Sequence, residues 1–408
     1  ICHNSKKNYE KLLIKSIEEQ YRAFSNIVKD RLARISYKVH GLRLAKSAPW
    51  SLEPLSSLLE LGDFSAGSES TSQALCLATR LGLYDTVHLL LSKGVQPQKS
   101  CGNMTAFHIA AAANDEDILN LFGKFPPNLL DRYGRSVQSL LDRSIINESK
   151  SCPTAKNFPG GGWRIQEIDD EERCSVARIS LKNLTLEIFI RDYVTARRPL
   201  FLLEATDDWT IFDKTKRETL VENHGQSQVR VAPIPYAHVF GETSSFCTVY
   251  EFVNHYLDHF EKETKFQHAP LYIFDENFIS ESRLNSTYTL PSLFFEALQP
   301  NTIVEQFILG PHGSGSPAHY HCAAINTVLY GTKRWFLRQP AKAYYSKQHP
   351  LDDPIIKGAS SSSSMKDDIE VCLQRPGEIL FLPDRYGHAT LNTGECLAIA
   401  VEFDSGAC

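Results

Sequence analysis

Three histidines stand at a spacing that could grip a metal ion. His319 and His321 are two apart in His-Tyr-His, and His388 follows 67 residues later in Pro383-Asp384-Arg385-Tyr386-Gly387-His388. Residues two apart on a strand project to one face. A strand through 319–321 would therefore aim both imidazoles together, and a distant segment could add the third. Three imidazoles can clasp one first-row metal ion from a single side and leave positions open for oxygen and for a substrate. The commoner set for iron-dependent oxygen chemistry is two histidines and a carboxylate. Here the middle position is His321, and a neutral imidazole offsets none of the metal's charge.

Such a site needs strands to hold it. Short β-rich segments punctuated by turn residues fill the C-terminal half: Pro199–Leu203, Val229–Ala232, Leu271–Phe274, Ile303–Leu309, Thr327–Tyr330, Lys333–Leu337, Glu378–Leu382 and Leu397–Phe403. Thr185–Ile190 also reads as strand-like. Many short strands in this order predict a double-sheet barrel of the cupin or jelly-roll type. The serine run in Gly358–Ser364 reads as a loop between strands.

The N-terminal half reads differently. Tyr9, Leu13, Ile17, Tyr21, Phe24, Val28 and Leu32 recur at helical steps across residues 9–33, an amphipathic pattern that needs an apolar partner. A repeat with a period of 32 residues follows, in which Ala74-Leu-Cys-Leu-Ala78 becomes Ala106-Phe-His-Ile-Ala110. Thr105-Ala106-Phe107-His108 resembles the turn and first helix of an ankyrin repeat. The expected organisation is a helical segment over 1–50, an ankyrin-like stack over 51–149, a Pro/Gly-rich linker over 150–174 and a barrel domain over 175–408, with its core at about 265–404. The fold class is thus α+β multidomain.

Composition narrows the function. A formal charge of -5 with a pI near 6.3 gives no basic stripe for nucleic acid, so no nucleic-acid partner is favoured. No run reaches the length of an apolar membrane span. The ten cysteines are scattered without a Cys-x-x-Cys pair, and this leaves the redox compartment open. Sequons occur at Asn103, Asn147, Asn183 and Asn285. The chain begins at Ile1, so a signal peptide cannot be tested.

Three stretches together resemble the JmjC family of iron(II) and 2-oxoglutarate-dependent oxygenases. They are Gly310 to His321, Tyr330-Gly-Thr-Lys333-Arg-Trp335-Phe-Leu337, and Pro383 to Asn392. Leu271–Asp275 is similar to the strand before the catalytic barrel, and Phe189, Tyr193 and Arg198–Leu202 to the start of the domain. The resemblance spans about residues 175–404 and implies a double-stranded β-helix.

It also implies roles. His319 and His388 match the family's two histidine ligands, with His321 where its carboxylate stands. Lys333 matches the lysine that pairs with the far carboxylate of 2-oxoglutarate. Ser316 and Tyr272 match hydroxyls on that same carboxylate, and Asn326 matches an amide near the cosubstrate. The spacing from His319 to Lys333, 14 residues, is one shorter than in several hydroxylases. A lumenal branch of the family shares the His-x-His and the shorter spacing.

The implied function is a protein hydroxylase or demethylase, with the ankyrin-like repeats presenting a protein substrate or partner. Two alternatives stand beside it: an inactive barrel that serves with its repeats as a protein-binding scaffold, and a three-histidine dioxygenase that uses no 2-oxoglutarate. The lumenal branch and the sequons point to the endoplasmic reticulum, whereas ankyrin-like repeats point to cytoplasm or nucleus. Substrate and oligomeric state are not readable.

Overall fold

The computed structural model describes residues 15–18, 66–142, 160–166, 174–234, 243–260, 270–360 and 369–405. Twelve strands are described: β1 (Ala177–Ser180), β2 (Leu200–Leu203), β3 (Gln228–Ala232), β4 (Ser245–Thr248), β5 (Tyr272–Asp275), β6 (Thr302–Gly310), β7 (Ala324–Tyr330), β8 (Lys333–Arg338), β9 (Glu370–Gln374), β10 (Ile379–Leu382), β11 (Gly387–Asn392) and β12 (Cys396–Asp404). Nine form one mixed sheet in the order β1-β2-β10-β7-β12-β6-β5-β3-β4, and three form a second, β11-β8-β9. The two sheets line a common cavity, as a jelly-roll barrel does.

Alternation along β12 sorts its side chains between two interiors. Leu397, Ile399, Val401 and Phe403 pack with the large apolar cluster that also takes Phe189, Phe252, Phe278 and Phe294 from the helices. Ala398 joins a second cluster with Tyr272 and Val328, and Ala400 and Glu402 face the cavity. Helices thus cover one face of the nine-stranded sheet, and its other face is left for the site.

Thr185–Ile190 is helical, not a strand. The Thr185 hydroxyl accepts from the Ile188 N–H at 3.2 Å and caps a turn at Leu186–Ile188, which continues as a π-helical stretch, Phe189–Val194. Its buried Phe189 meets Phe294 and Phe381 edge-on. Alternating apolar residues in so short a run suit either structure, and the capping threonine decides. Within the serine-rich segment, Pro354–Ser360 is a helix and residues 361–368 lie outside the described set. The short strands β1, β4 and β9 carry mixed polar sequences and gave no period-two signal.

Ahead of the barrel, α1 (Glu69–Leu81) and α2 (Tyr84–Ser92) form one helix pair, α3 (Ala106–Ala113) and α4 (Glu116–Phe122) a second, and α5 (Val137–Leu141) begins a third. Short antiparallel bridges at Ser100–Thr105 and Leu130–Ser136 precede α3 and α5. His108 ties successive units: its Nδ1 meets the Thr105 hydroxyl at 2.8 Å and its Nε2 the Arg135 carbonyl at 3.1 Å. Of the helix expected over 9–33, only 15–18 are described, with Ile17 fully buried in this helical core. Ala196 from the barrel domain is buried in the same core, and Arg135 donates to the Arg191 carbonyl and, at 2.9 Å, to the Thr195 hydroxyl. The linker expected over 150–174 is described only at 160–166 and Cys174. Disulfides join Cys76 to Cys101 within the helical layer and Cys174 to Cys372 on β9. No described helix is long and apolar enough to cross a membrane.

Candidate metal centre

All seven side chains singled out from the sequence, Tyr272, Ser316, His319, His321, Asn326, Lys333 and His388, line one cavity of about 510 Å³, mouth included. How they get there differs from the expectation in one respect. Residues 319–321 are not part of a strand; His319 forms an isolated antiparallel bridge with His388. The segment before it runs irregularly along the free edge of β11. His319 and His388 exchange backbone hydrogen bonds at 3.0 and 2.9 Å, Thr390 N–H donates to Ser316 O at 2.9 Å, and Asn392 N–H to Ser314 O at 2.7 Å. This ladder sets two of the three imidazoles side by side.

The ring centroids of His319 and His388 are 4.2 Å apart, His321 and His388 4.7 Å, and His319 and His321 5.4 Å. One ring nitrogen from each lies within 4.8 Å of those of the others. The remaining hydrogen bonds fix the tautomers. Nδ1 of His319 faces the Pro317 carbonyl at 2.8 Å, Nδ1 of His321 the Cys322 carbonyl at 2.7 Å, and Nδ1 of His388 the Tyr386 carbonyl at 2.9 Å. A nitrogen facing a carbonyl must carry the proton, so each ring keeps its Nε2 lone pair for a ligand. Burial, and then the nearby His321, pushes His319 down to about 4. Burial, followed by His319 and His321, pushes His388 well below the usual range. Both rings are neutral near pH 7, the form a metal takes. The set could hold a metal ion.

Beside it sits an uncompensated cation. Lys333 is 3% exposed, its Nζ donates to Asn392 Oδ1 at 2.8 Å, and no carboxylate pairs with it among the described residues. Burial lowers its pKa. The Tyr272 hydroxyl lies beside Ser316 without a well-formed hydrogen bond, and Asn326 Oδ1 is buried without a donor. Buried polar groups left this way cost stability unless a ligand satisfies them. A small carboxylate next to a metal fits this group of donors.

Among the other residues lining the cavity, the polar Gln306, Thr390 and Glu402 were not read from the sequence as site residues. The Gln306 amide donates to Glu402 Oε1 at 3.0 Å. Glu402 lies outside the tight group of imidazole nitrogens, yet its charge acts on His319. The signal was available in β12, where the inward series Ala398, Ala400, Glu402 ends on a charge. Ala324 and Ala400 keep the cavity open by being small.

The Cupin-like domain family matches residues 185–403. The human JmjC domain-containing protein 8 is 30% identical over 238 residues, covering 57% of this chain and 86% of that protein. The Caenorhabditis elegans bifunctional arginine demethylase and lysyl-hydroxylase psr-1 is 27% identical over 306 residues, 67% of this chain and 72% of that one. The Arabidopsis thaliana arginine-specific demethylase JMJ22 is 26% identical over 254 residues, 57% of this chain and 47% of its own.

Proposed function

Since the chain belongs to the cupin-like JmjC family, we propose that it is an iron(II) and 2-oxoglutarate-dependent oxygenase that hydroxylates or demethylates a protein side chain. The observation that carries this reading is the set of three imidazoles with their Nδ1 protons held by carbonyls, beside a buried lysine with no carboxylate partner among the described residues. His319, His321 and His388 would hold the metal. Lys333 would pair with the far carboxylate of 2-oxoglutarate, since a desolvated ammonium and a carboxylate offset each other's burial. The Tyr272 and Ser316 hydroxyls would donate to that carboxylate, and Asn326 would orient the cosubstrate. Bound together, iron and 2-oxoglutarate supply dioxygen activation: one oxygen atom goes into the substrate C–H bond and the other into succinate, with release of carbon dioxide. Hydroxylation of an N-methyl carbon gives a hemiaminal that loses formaldehyde, and this is how one site could serve either outcome.

His321 leaves the metal without a carboxylate ligand, and Glu402 on the same cavity supports the reading that the missing negative charge is restored from β12. Glu402→Gln is expected to weaken Mn(II) affinity about fivefold to tenfold, by loss of one charge near the metal, and unchanged affinity would remove Glu402 from the site. The relatives' names, arginine demethylase and lysyl-hydroxylase, support a basic side chain as substrate. The helix pairs and their 32-residue repeat support an ankyrin-like stack that engages a protein partner. The disulfides Cys76–Cys101 and Cys174–Cys372 among the described residues, with exposed sequons at Asn183 and Asn285, support an oxidising compartment such as the endoplasmic reticulum lumen over the cytoplasm.

The test is an anaerobic titration with Fe(II) and then 2-oxoglutarate, followed by succinate measurement on admitting oxygen. Binding of both with succinate release, lost in His388→Ala, is the expected result. Absence of metal binding sinks the proposal. His321 favours one second reading, a barrel whose catalysis is silenced and whose role is binding. Metal binding without succinate, with succinate gained in His321→Asp, would establish it.

A further inference from the structure

We propose that the helical layer is part of the scaffold of the metal centre: the C-terminal end of α1 holds the Asp384–Arg385 turn and, through it, the backbone of His321. This rests on the metal reading above. Helix ends leave their last carbonyls without partners and carry partial negative charge. At the end of α1, two guanidinium groups from the barrel domain converge on one such carbonyl, that of Arg80. Arg197 Nη2 donates to it at 3.2 Å and Arg385 Nη1 at 3.1 Å. Arg197, 7% exposed, also pairs with Asp384 at 3.4 Å. Both Arg197 and Arg385 hold left-handed backbone conformations, φ +49° and +61°, which arginine rarely adopts unless its surroundings impose them.

The turn so anchored faces the metal centre on its other side. The Arg385 backbone N–H donates to the His321 carbonyl at 2.8 Å, and its guanidinium lies over the Tyr320 ring, 5.7 Å from the centroid. This matters because the three ligands are not held alike. His319 and His388 are locked to each other by the ladder along β11. His321 is outside that ladder and half-buried, and its described backbone tie runs to Arg385. Arg385 is therefore a positioning residue for the ligand that the sheet leaves loosest, and its own anchor is a helix of the other layer. Whatever shifts the end of α1 shifts His321.

The full chain is titrated with Co(II), read by its d–d absorption, which reports ligand number and geometry. Arg385→Ala is expected to bind about tenfold more weakly with an altered spectrum, and Arg385→Lys, which keeps a cation able to reach the Arg80 carbonyl, to recover most of the affinity. A second measurement needs no variant. The amides of Gly82 and Leu83 close the end of α1 on the Thr79 and Ala78 carbonyls at 3.1 and 3.0 Å. Because coupling is reciprocal, saturating Co(II) should slow their hydrogen exchange in the wild type. Wild-type affinity and spectrum in Arg385→Ala, or exchange at Gly82 and Leu83 indifferent to Co(II), overturns the coupling while leaving the metal centre standing. A wild type that binds no Co(II) overturns the metal reading and this proposal with it.

Discussion

Lys333→Met is expected to lose about a hundredfold in 2-oxoglutarate affinity, roughly 3 kcal/mol, and at the same time to make the unliganded protein more stable. The two effects share one cause. Lys333 stands buried on β8 with an amide oxygen for company and, among the described residues, no anion, so burial costs the free protein what the ligand would recover. Methionine fills a similar volume without the charge. The stability gain should be about 1–3 kcal/mol near neutral pH, read from urea unfolding, and the affinity loss from calorimetric titration in the presence of Mn(II). The sign of the pH dependence follows from the lowered pKa of the folded state. The unfolded chain binds the proton more readily there, so wild-type stability rises as pH climbs from the folded value towards the ordinary one. The advantage of the methionine variant should narrow over that window. A variant that binds 2-oxoglutarate as well as the wild type would mean that the anion is held elsewhere.

Gly315→Ala should be the most damaging single-methyl change near the site. A Cβ at 315 would stand 2.0 Å from the Thr390 carbonyl oxygen and 3.0 Å from the Leu391 Cα, both backbone atoms of β11. Neither can turn aside as a flexible side chain would. The edge segment must move out, since the ladder bonds Asn392–Ser314 and Thr390–Ser316 lie on either side of the clash, and Ser316 and His319, the next rung, move with it. Overpacking of this kind costs about 1–3 kcal/mol or more. Thermal unfolding should show that loss, and Co(II) titration a larger one, because the imidazole pair is set by this ladder. By contrast, Gly102→Ala meets no atom within 4 Å, so its cost is limited to the left-handed backbone at φ +92° and should leave metal affinity alone. Equal metal affinity in Gly315→Ala and wild type would show that the edge ladder does not position His319.

That the three histidines and the lysine meet in one place was legible because the pattern is local and in a fixed order. His-x-His, a lysine opening a strand and a distant histidine after a Pro-Gly turn line one cavity. The geometry behind the pattern was less legible. His319 and His321 sit in an irregular segment whose partner is named by Gly315 and Ser316, and nothing in their composition distinguishes edge backbone from strand. Glu402 went unread because its role depends on which β12 face meets the cavity, a matter of register between distant strands. Thr185 was passed over as strand because its capping hydrogen bond is local while the apolar spacing around it is ambiguous. Arg385 looked like part of a ligand motif. Its attachment to α1 links residues 305 apart in sequence, a separation no local pattern spans.

The bond between Cys174 and Cys372 turns most of the barrel domain into a covalent ring. His319, His321 and Lys333 lie on the ring, and His388 lies on the tail that leaves it. A protease cutting once inside the ring would open it without releasing a fragment, and the halves would part only on addition of a thiol. Cross-linking residues 198 apart also narrows the unfolded ensemble by an amount on the order of 5 kcal/mol. In a reducing compartment the same sequence would be a linear polymer, with both ends of that stretch free to drift apart whenever the barrel opens.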